Sequence, residues 1–214
     1  MCTVRTSAPV ALTCILVLVI AMSVGCSSQP PSETQTNINT FSLALRQIDQ
    51  ARSDVVRTLD TLNRYSDNPG RSTFDAFARN AQAVQDHGGN LENISAVMSD
   101  QGNAFFLNWQ NEITAMTNDK LKAHATAQRE SALKAFQQID VQGPELRAAY
   151  EKFVADLRNL QTFFDFDKSV SGVAAAATVI SQARLHGADL KRLLDIQATN
   201  LANVRTIFLT MNRH

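Results

Sequence analysis

The chain has 214 residues, of which 44% are hydrophobic and 19% are charged, and its 20 Lys and Arg residues balance its 20 Asp and Glu residues. This length provides one domain or two small ones. Neutral net charge without a block of basic residues argues against nucleic-acid binding, because that affinity depends on clustered positive charge. With only 8 Gly and 5 Pro, the chain has few turn residues, which argues against a many-stranded sandwich or barrel.

The first 25 residues have the pattern of a signal peptide. Arg5 precedes an uncharged apolar run from Ala8 to Val24, and small residues lie before a cleavage point. Ser23-Val24-Gly25-Cys26 resembles the bacterial lipobox, in which the cysteine after the cut is acylated, although Ser23 stands where an aliphatic residue is usual. We therefore expect lipidation of Cys26. One alternative is an uncleaved membrane anchor, since about 17 apolar residues is the lower limit for spanning a bilayer. The other is an ordinary secretory signal that is cleaved.

The positions of the three cysteines favour the lipid anchor. Cys2 and Cys14 lie within the signal segment and Cys26 lies at its end, so no disulfide or thiolate metal site can form after position 26. Several acyl chains would hold the protein at a membrane permanently. Ser27, directly after the modified cysteine, resembles the class of lipoproteins sorted to the outer membrane. We expect a lipid-anchored protein of the bacterial envelope, at the outer membrane and facing the periplasm.

Residues 26–40 are expected to form a flexible tether, because they are polar, contain Pro30-Pro31 and lack a periodic apolar set. Residues 41–214 are expected to form a helical bundle domain, because apolar residues recur there at alternating spacings of three and four. The sequence Asp67-Asn68-Pro69-Gly70 predicts the end of the first helix. Gly88-Gly89 and Gly143-Pro144 predict kinks or breaks in the second and third helical segments.

The predicted apolar seams follow the four helical segments in chain order. They are Leu45, Ile48, Val55, Leu59 and Leu62 in the first; Phe74, Phe77, Ala81, Val84, Leu91, Met98, Phe105, Trp109 and Met116 in the second; Ala125, Ala132, Phe136, Ile139, Leu146, Tyr150, Phe153, Leu157, Leu160 and Phe164 in the third; and Val173, Ala176, Ile180, Ala183, Gly187, Leu190, Leu194, Gln197, Leu201, Val204, Phe208 and Met211 in the fourth. Long helices joined by short loops predict an all-α fold, an elongated antiparallel bundle of three to four long helices with coiled-coil-like packing. A coiled-coil dimer between two chains would satisfy the same seams.

One stretch in the second helical segment carries a family resemblance. Residues 105–113 (FFLNWQNEI), followed by Asn118 and Leu121, resemble the aromatic-x-x-Trp-x-x-Glu-hydrophobic stretch of an uncharacterised family of proteobacterial coiled-coil envelope lipoproteins. The resemblance is specific around residues 105–121 and covers residues 41–210 in outline. It implies an envelope location and a helical fold, and it supplies no catalytic residue.

The sequence contains no motif that points to catalysis or to a cofactor. HExxH, GxSxG, a phosphate-binding glycine loop and paired cysteines are all absent from it. The four histidines are His87, His124, His186 and His214. His186 with Asp189 would supply only two ligands, whereas Zn²⁺ needs three or four. Asp165 and Asp167 are expected to cap a turn rather than to form a catalytic pair. We therefore predict no catalytic residue, no metal and no cofactor.

The aromatic residues are the best candidates for a contact site. Phe105, Trp109 and Phe164 lie on the seams and are expected to pack at the bundle ends. The residues off the seams are Phe106, Phe163 and Phe166. If these three residues group on the surface, they would form a contact site for a partner or for lipid.

Two functional hypotheses follow from this sequence. The first is a non-enzymatic, lipid-anchored envelope protein that acts as a helical scaffold or protein-protein interaction module, through an envelope partner or self-association. The alternative is a periplasmic helical bundle that binds a lipid or another amphiphile in an apolar cavity. Under both hypotheses the protein is attached to the membrane by its N-terminal lipid anchor. Neither hypothesis includes nucleic acid as a partner.

Overall fold

The protein is all-α in the part that the computed structural model describes, which is residues 33–211, with side chains for 38–88 and 96–209. Five helices follow in chain order: α1 (Glu33–Asp67), α2 (Arg71–Ala115), α3 (Asp119–Phe166), α4 (Val170–Ala175) and α5 (Ala177–Met211). No strand occurs between residues 33 and 211. The predicted fold class is confirmed. The predicted signal peptide and Cys26 lie outside the described residues.

The four long helices form an antiparallel bundle in which each helix packs against two others. α1 contacts α2 and α5, and α3 contacts the same two helices from the other side. At one end, rings from all four long helices pack together through Phe41, Phe106, Phe136 and Phe208. At the other end, Tyr65 of α1 packs against Phe74 of α2 and Phe164 of α3. At 1.5 Å per residue, α1 and α5 are about 50 Å long and α2 and α3 about 70 Å.

Helix α1 buries a heptad stripe and begins earlier than the sequence predicts. Its buried stripe consists of Ile38, Phe41, Ala44, Ile48, Ala51, Val55, Thr58, Leu62 and Tyr65. The spacing of three and four continues on the N-terminal side of Phe41 to Ile38, so residues 33–40 are helical and the predicted tether boundary at residue 40 is wrong. The helix ends at Asp67, directly before Asn68-Pro69-Gly70, as predicted.

Helix α2 runs without a break past Gly88-Gly89, and the buried stripe shifts along it. The stripe continues from Met98 to Gly102, Phe106 and Ile113, while Phe105 and Trp109 are only partly buried. Spacings of 4, 4 and 7 residues follow an 11-residue period more closely than a heptad, so the buried face drifts by one position. The predicted seam through Phe105 and Met116 is therefore wrong in this part of the helix.

Helix α3 contains Pro144 in its interior and remains one helix from Asp119 to Phe166. The predicted alternative of two abutting helices is not observed. Gly143 has no Cβ to clash with the proline ring, which makes helical backbone accessible before proline. Asn118 caps the helix, because its Oδ1 accepts hydrogen bonds from the backbone N–H groups of Lys120 and Leu121, both at 3.1 Å.

Helices α4 and α5 carry the most regular of the predicted seams. From Ala176 to Phe208, every predicted seam residue is buried, including the polar Gln197. A one-residue interruption at Ala176 separates the two helices, although the N–H of Ile180 still donates to the carbonyl of Ala176. Ser169 caps α4 by accepting a hydrogen bond from the N–H of Gly172. None of the five helices is long and apolar enough to cross a bilayer.

Candidate functional site

A cavity of about 560 Å³ lies inside the bundle, between the middle parts of α2 and α3. Its described lining residues are Ala44, Ile48, Gly88, Ala96, Met98, Ser99, Asp140, Gly143, Pro144, Leu146, Arg147, Ala148, Tyr150, Glu151, Leu190, Gln197 and Leu201. The lining residues from α1 and α5 are buried, whereas several of those from α2 and α3 are exposed. The cavity therefore opens between α2 and α3 and has its floor on α1 and α5.

Small residues and one proline make the space between α2 and α3. Gly88, Gly143 and Ala148 present little or no side chain to it. A Cβ at Gly88 would lie 1.9 Å from the Tyr150 hydroxyl oxygen, so only glycine allows Tyr150 to approach α2 this closely. The Tyr150 hydroxyl lies 2.9 Å from the carbonyl oxygen of Val84 and fixes that side of the opening.

Gln197 is the polar residue of the floor. It is only 5% exposed, and its Nε2 donates a hydrogen bond to the carbonyl oxygen of Ile139 at 3.3 Å. Its Oε1 is buried and accepts no hydrogen bond within the described part of the chain. Buried amide oxygens nearly always have a donor. Gln197 therefore presents an unused acceptor beside an apolar wall formed by residues such as Ile48, Leu190 and Leu201.

The mouth of the cavity carries charge. Asp140, Arg147 and Glu151 are exposed residues of α3 that line it. Among the described lining residues, the two acidic groups outnumber the one basic group at this mouth. Pro144 has no backbone N–H, so the carbonyl of Asp140 receives no helical hydrogen bond from position 144.

Two buried carboxylates are paired with histidines from other helices. Asp54 of α1 is 1% exposed and its Oδ2 lies 2.5 Å from His87 Nδ1 of α2. Arg57 and Gln50, one turn away on α1, donate to the same carboxylate. Asp156 Oδ2 of α3 lies 2.6 Å from His186 Nδ1 of α5. The two pairs join α1 to α2 and α3 to α5, and they lie on opposite sides of the core.

The structure separates the three aromatic residues that the sequence places in a contact site. Phe106 is 2% exposed and packs against Phe136 and Phe208, so its expected exposure is not observed. The reason is the drift of the buried face of α2. Phe163 and Phe166 remain exposed at the end of α3, Phe166 at 89%. Cys26, the predicted lipidation site, lies outside the described residues.

The remaining candidate residues are engaged locally. Asp167 accepts hydrogen bonds from the Ser169 hydroxyl at 2.5 Å and the Ser169 N–H at 3.0 Å, and these bonds lower the pKa of its carboxyl. Asp165 pairs with Lys168 at 3.5 Å. Asp189 pairs with Arg192 at 2.7 Å rather than with His186. Among the described residues, no group of three or more His, Cys, Asp or Glu side chains is placed to hold a metal ion.

Gln197 is the polar member of the apolar seam predicted for the fourth helical segment, and the sequence indicates no role for it. The Asp54–His87 and Asp156–His186 pairs cannot be predicted from the sequence pattern, because the partners lie 33 and 30 positions apart on different helices. The one signal for Asp54 is its position next to Val55 on the buried stripe of α1. No protein-family model, no curated protein and no solved structure matches this chain.

Proposed function

We propose that this protein is a non-enzymatic helical bundle that binds an apolar or amphiphilic ligand in the cavity between α2 and α3. The observation that carries the proposal is the cavity of about 560 Å³, within the range of about 300–1,000 Å³ found for small-molecule sites. A bundle core is normally packed to crystal-like density. A mostly apolar space of this size, buried on the α1 and α5 side and open between α2 and α3, is therefore a place for a ligand.

A binding assay with a matched pair of variants tests this proposal. Ala148 is an exposed lining residue of α3, and Ala148→Trp would place an indole at the mouth of the cavity. Ala155 lies seven residues further along α3, is also exposed, and is not among the described lining residues. We expect saturable binding of the dye Nile red to the unmodified protein and to Ala155→Trp, and none to Ala148→Trp. Equal binding by both variants would contradict the proposal.

We also propose that the bundle is held at a bacterial membrane by acylation of Cys26, most simply at the outer membrane with the bundle in the periplasm. The support is the sequence Ser23-Val24-Gly25-Cys26 behind an apolar run. Metabolic labelling with palmitate tests the anchor. We expect label in the unmodified protein and none in Cys26→Ala, and label retained by Cys26→Ala would exclude this anchor.

A second candidate function is scaffolding through protein-protein contact, and one surface favours it. The α3–α4 apolar patch consists of Phe163, Phe166 and Val170, which are exposed where α3 passes into α4. Exposed apolar groups that lie together are typical of contact sites. Crosslinking of the anchored protein in its own cells tests this function. We expect Phe166→Ser to remove a crosslinked partner, whereas an identical crosslinking pattern would exclude this patch as the contact.

A further inference from the structure

The floor of the cavity offers an acceptor without a matching donor. Gln197 Oε1 is buried and unpaired, and Gln197 Nε2 donates one of its two N–H groups to the carbonyl of Ile139. The side-chain donors among the described lining residues include Ser99, Arg147 and Tyr150, all on α2 or α3 at the mouth. The floor can therefore accept a hydrogen bond from a ligand through Gln197 Oε1.

The charge around the mouth disfavours an anionic ligand. Asp140 and Glu151 outnumber Arg147 among the charged lining residues that the structure describes. An ionised carboxylate brought to the floor would meet an apolar wall and the neutral amide of Gln197, with no cationic side chain among the described floor residues. Burying a charge without a partner is strongly unfavourable.

We propose that the ligand is an uncharged aliphatic molecule with a hydroxyl group, bound with the hydroxyl toward the floor and its proton donated to Gln197 Oε1. This inference rests on the proposed ligand-binding function and specifies the chemistry of that same site. The aliphatic chain lies along Ile48, Leu190 and Leu201, where burial of methylene groups provides most of the affinity. The hydroxyl provides selectivity, because it satisfies an acceptor that an alkane or a carboxylate leaves unpaired.

Photocrosslinking in cells that express the full chain tests the inference with two matched probes. One probe is a long-chain alcohol with a diazirine in the chain, and the other is the carboxylate of the same length. Peptide mapping of the crosslinks locates the labelled residues. We expect labelling of cavity residues by the alcohol to exceed that by the carboxylate about tenfold, the selectivity that one well-placed hydrogen bond provides.

Two glutamine variants separate the role of Gln197 from a general effect on the bundle. Gln197→Met keeps a side chain of similar length and removes the acceptor, while Gln182→Met makes the same change at an exposed position of α5. We expect Gln197→Met to lower alcohol labelling to the level of the carboxylate and Gln182→Met to leave it unchanged. Circular dichroism establishes that both variants are folded.

The outcomes distinguish this inference from the proposed function. If neither probe labels the cavity, the proposed ligand-binding function itself is wrong. If both probes label it equally, or if Gln197→Met keeps the preference for the alcohol, the cavity binds aliphatic chains but the hydroxyl assignment is wrong. A preference for the carboxylate would also overturn it.

Discussion

Replacing Tyr65 by Phe is expected to stabilise the protein. Tyr65 is 0% exposed, and its ring packs at 4.7 Å, centroid to centroid, against Phe164. Its hydroxyl has no hydrogen-bond partner among the side chains and backbone that the structure describes. Burying a hydroxyl without a partner costs about 1–3 kcal/mol, and Phe keeps the ring contacts. We therefore expect Tyr65→Phe to raise the free energy of unfolding by about 1–2 kcal/mol, against a total of about 5–15 kcal/mol for a typical domain.

Denaturant unfolding provides the measurement, and the second tyrosine provides the control. The hydroxyl of Tyr150 is hydrogen-bonded to the carbonyl of Val84, so Tyr150→Phe is expected to lose about 0.5–1.5 kcal/mol. The midpoint should rise in Tyr65→Phe and fall in Tyr150→Phe, with unchanged slopes. Loss of stability in Tyr65→Phe comparable to that in Tyr150→Phe would refute the reasoning.

Tyr65 also makes the stability of the protein depend on pH. Burial raises the pKa of Tyr65, and the negative charge of Asp167 raises it further. Because the folded pKa lies above the unfolded value of about 10, the unfolded state loses the proton first as pH rises. Stability should therefore fall above pH about 10, and the fall should be smaller in Tyr65→Phe. Tyrosinate absorbance follows the titration. If the free energy of unfolding fell equally steeply with pH in the unmodified protein and in Tyr65→Phe, the raised pKa of Tyr65 would not be the cause.

Two further predictions concern a tight helix contact and an ion pair. A Cβ at Gly102 would lie 2.2 Å from the ring of Phe136, so Gly102→Ala should destabilise by about 1–3 kcal/mol in thermal unfolding. Gly70→Ala, whose new Cβ would meet only the Thr73 hydroxyl oxygen at 3.9 Å, should change stability by less than about 1 kcal/mol; equal losses would contradict the contact. Hydrogen bonds from Lys191 and Arg52 lower the pKa of Asp195. These bonds make a small contribution to the free energy of unfolding. In the unmodified protein this contribution should be lost as pH falls below about 4, and in Asp195→Asn it should be missing at all pH values.

The helices and most of their buried faces could be predicted because burial on a helix is periodic. On α5 the predicted seam from Ala176 to Phe208 is the buried face, since a heptad pattern by itself identifies the side that turns inward. The sequence predicts too late a start for α1, at residue 41, because residues 33–37 are polar. Polar composition indicates a tether, but Ile38 reaches the core and extends the helix.

The drift of the buried face on α2 could not be predicted from that helix alone. Gly102 carries no side chain and so gives no apolar signal, yet it is buried because the ring of Phe136 from α3 lies against it. This contact turns Phe106 into the core and leaves Phe105 partly exposed. Which of two adjacent phenylalanines is buried was decided by a residue 30 positions further along the chain.

The cavity brings together residues that each depart from the local preference of their element. Gly88 and Gly143 weaken a helix, Pro144 removes a helical hydrogen bond, and Gln197 interrupts an apolar seam. Any one of these features has a structural explanation by itself. All four line the same space, although they come from three different helices. Gly88 accommodates Tyr150 and Gly143 accommodates Pro144, so these two glycines are needed for packing alone. A bundle selected only for stability would place an apolar side chain at position 197, and the buried amide of Gln197 therefore supports the ligand-binding site proposed above.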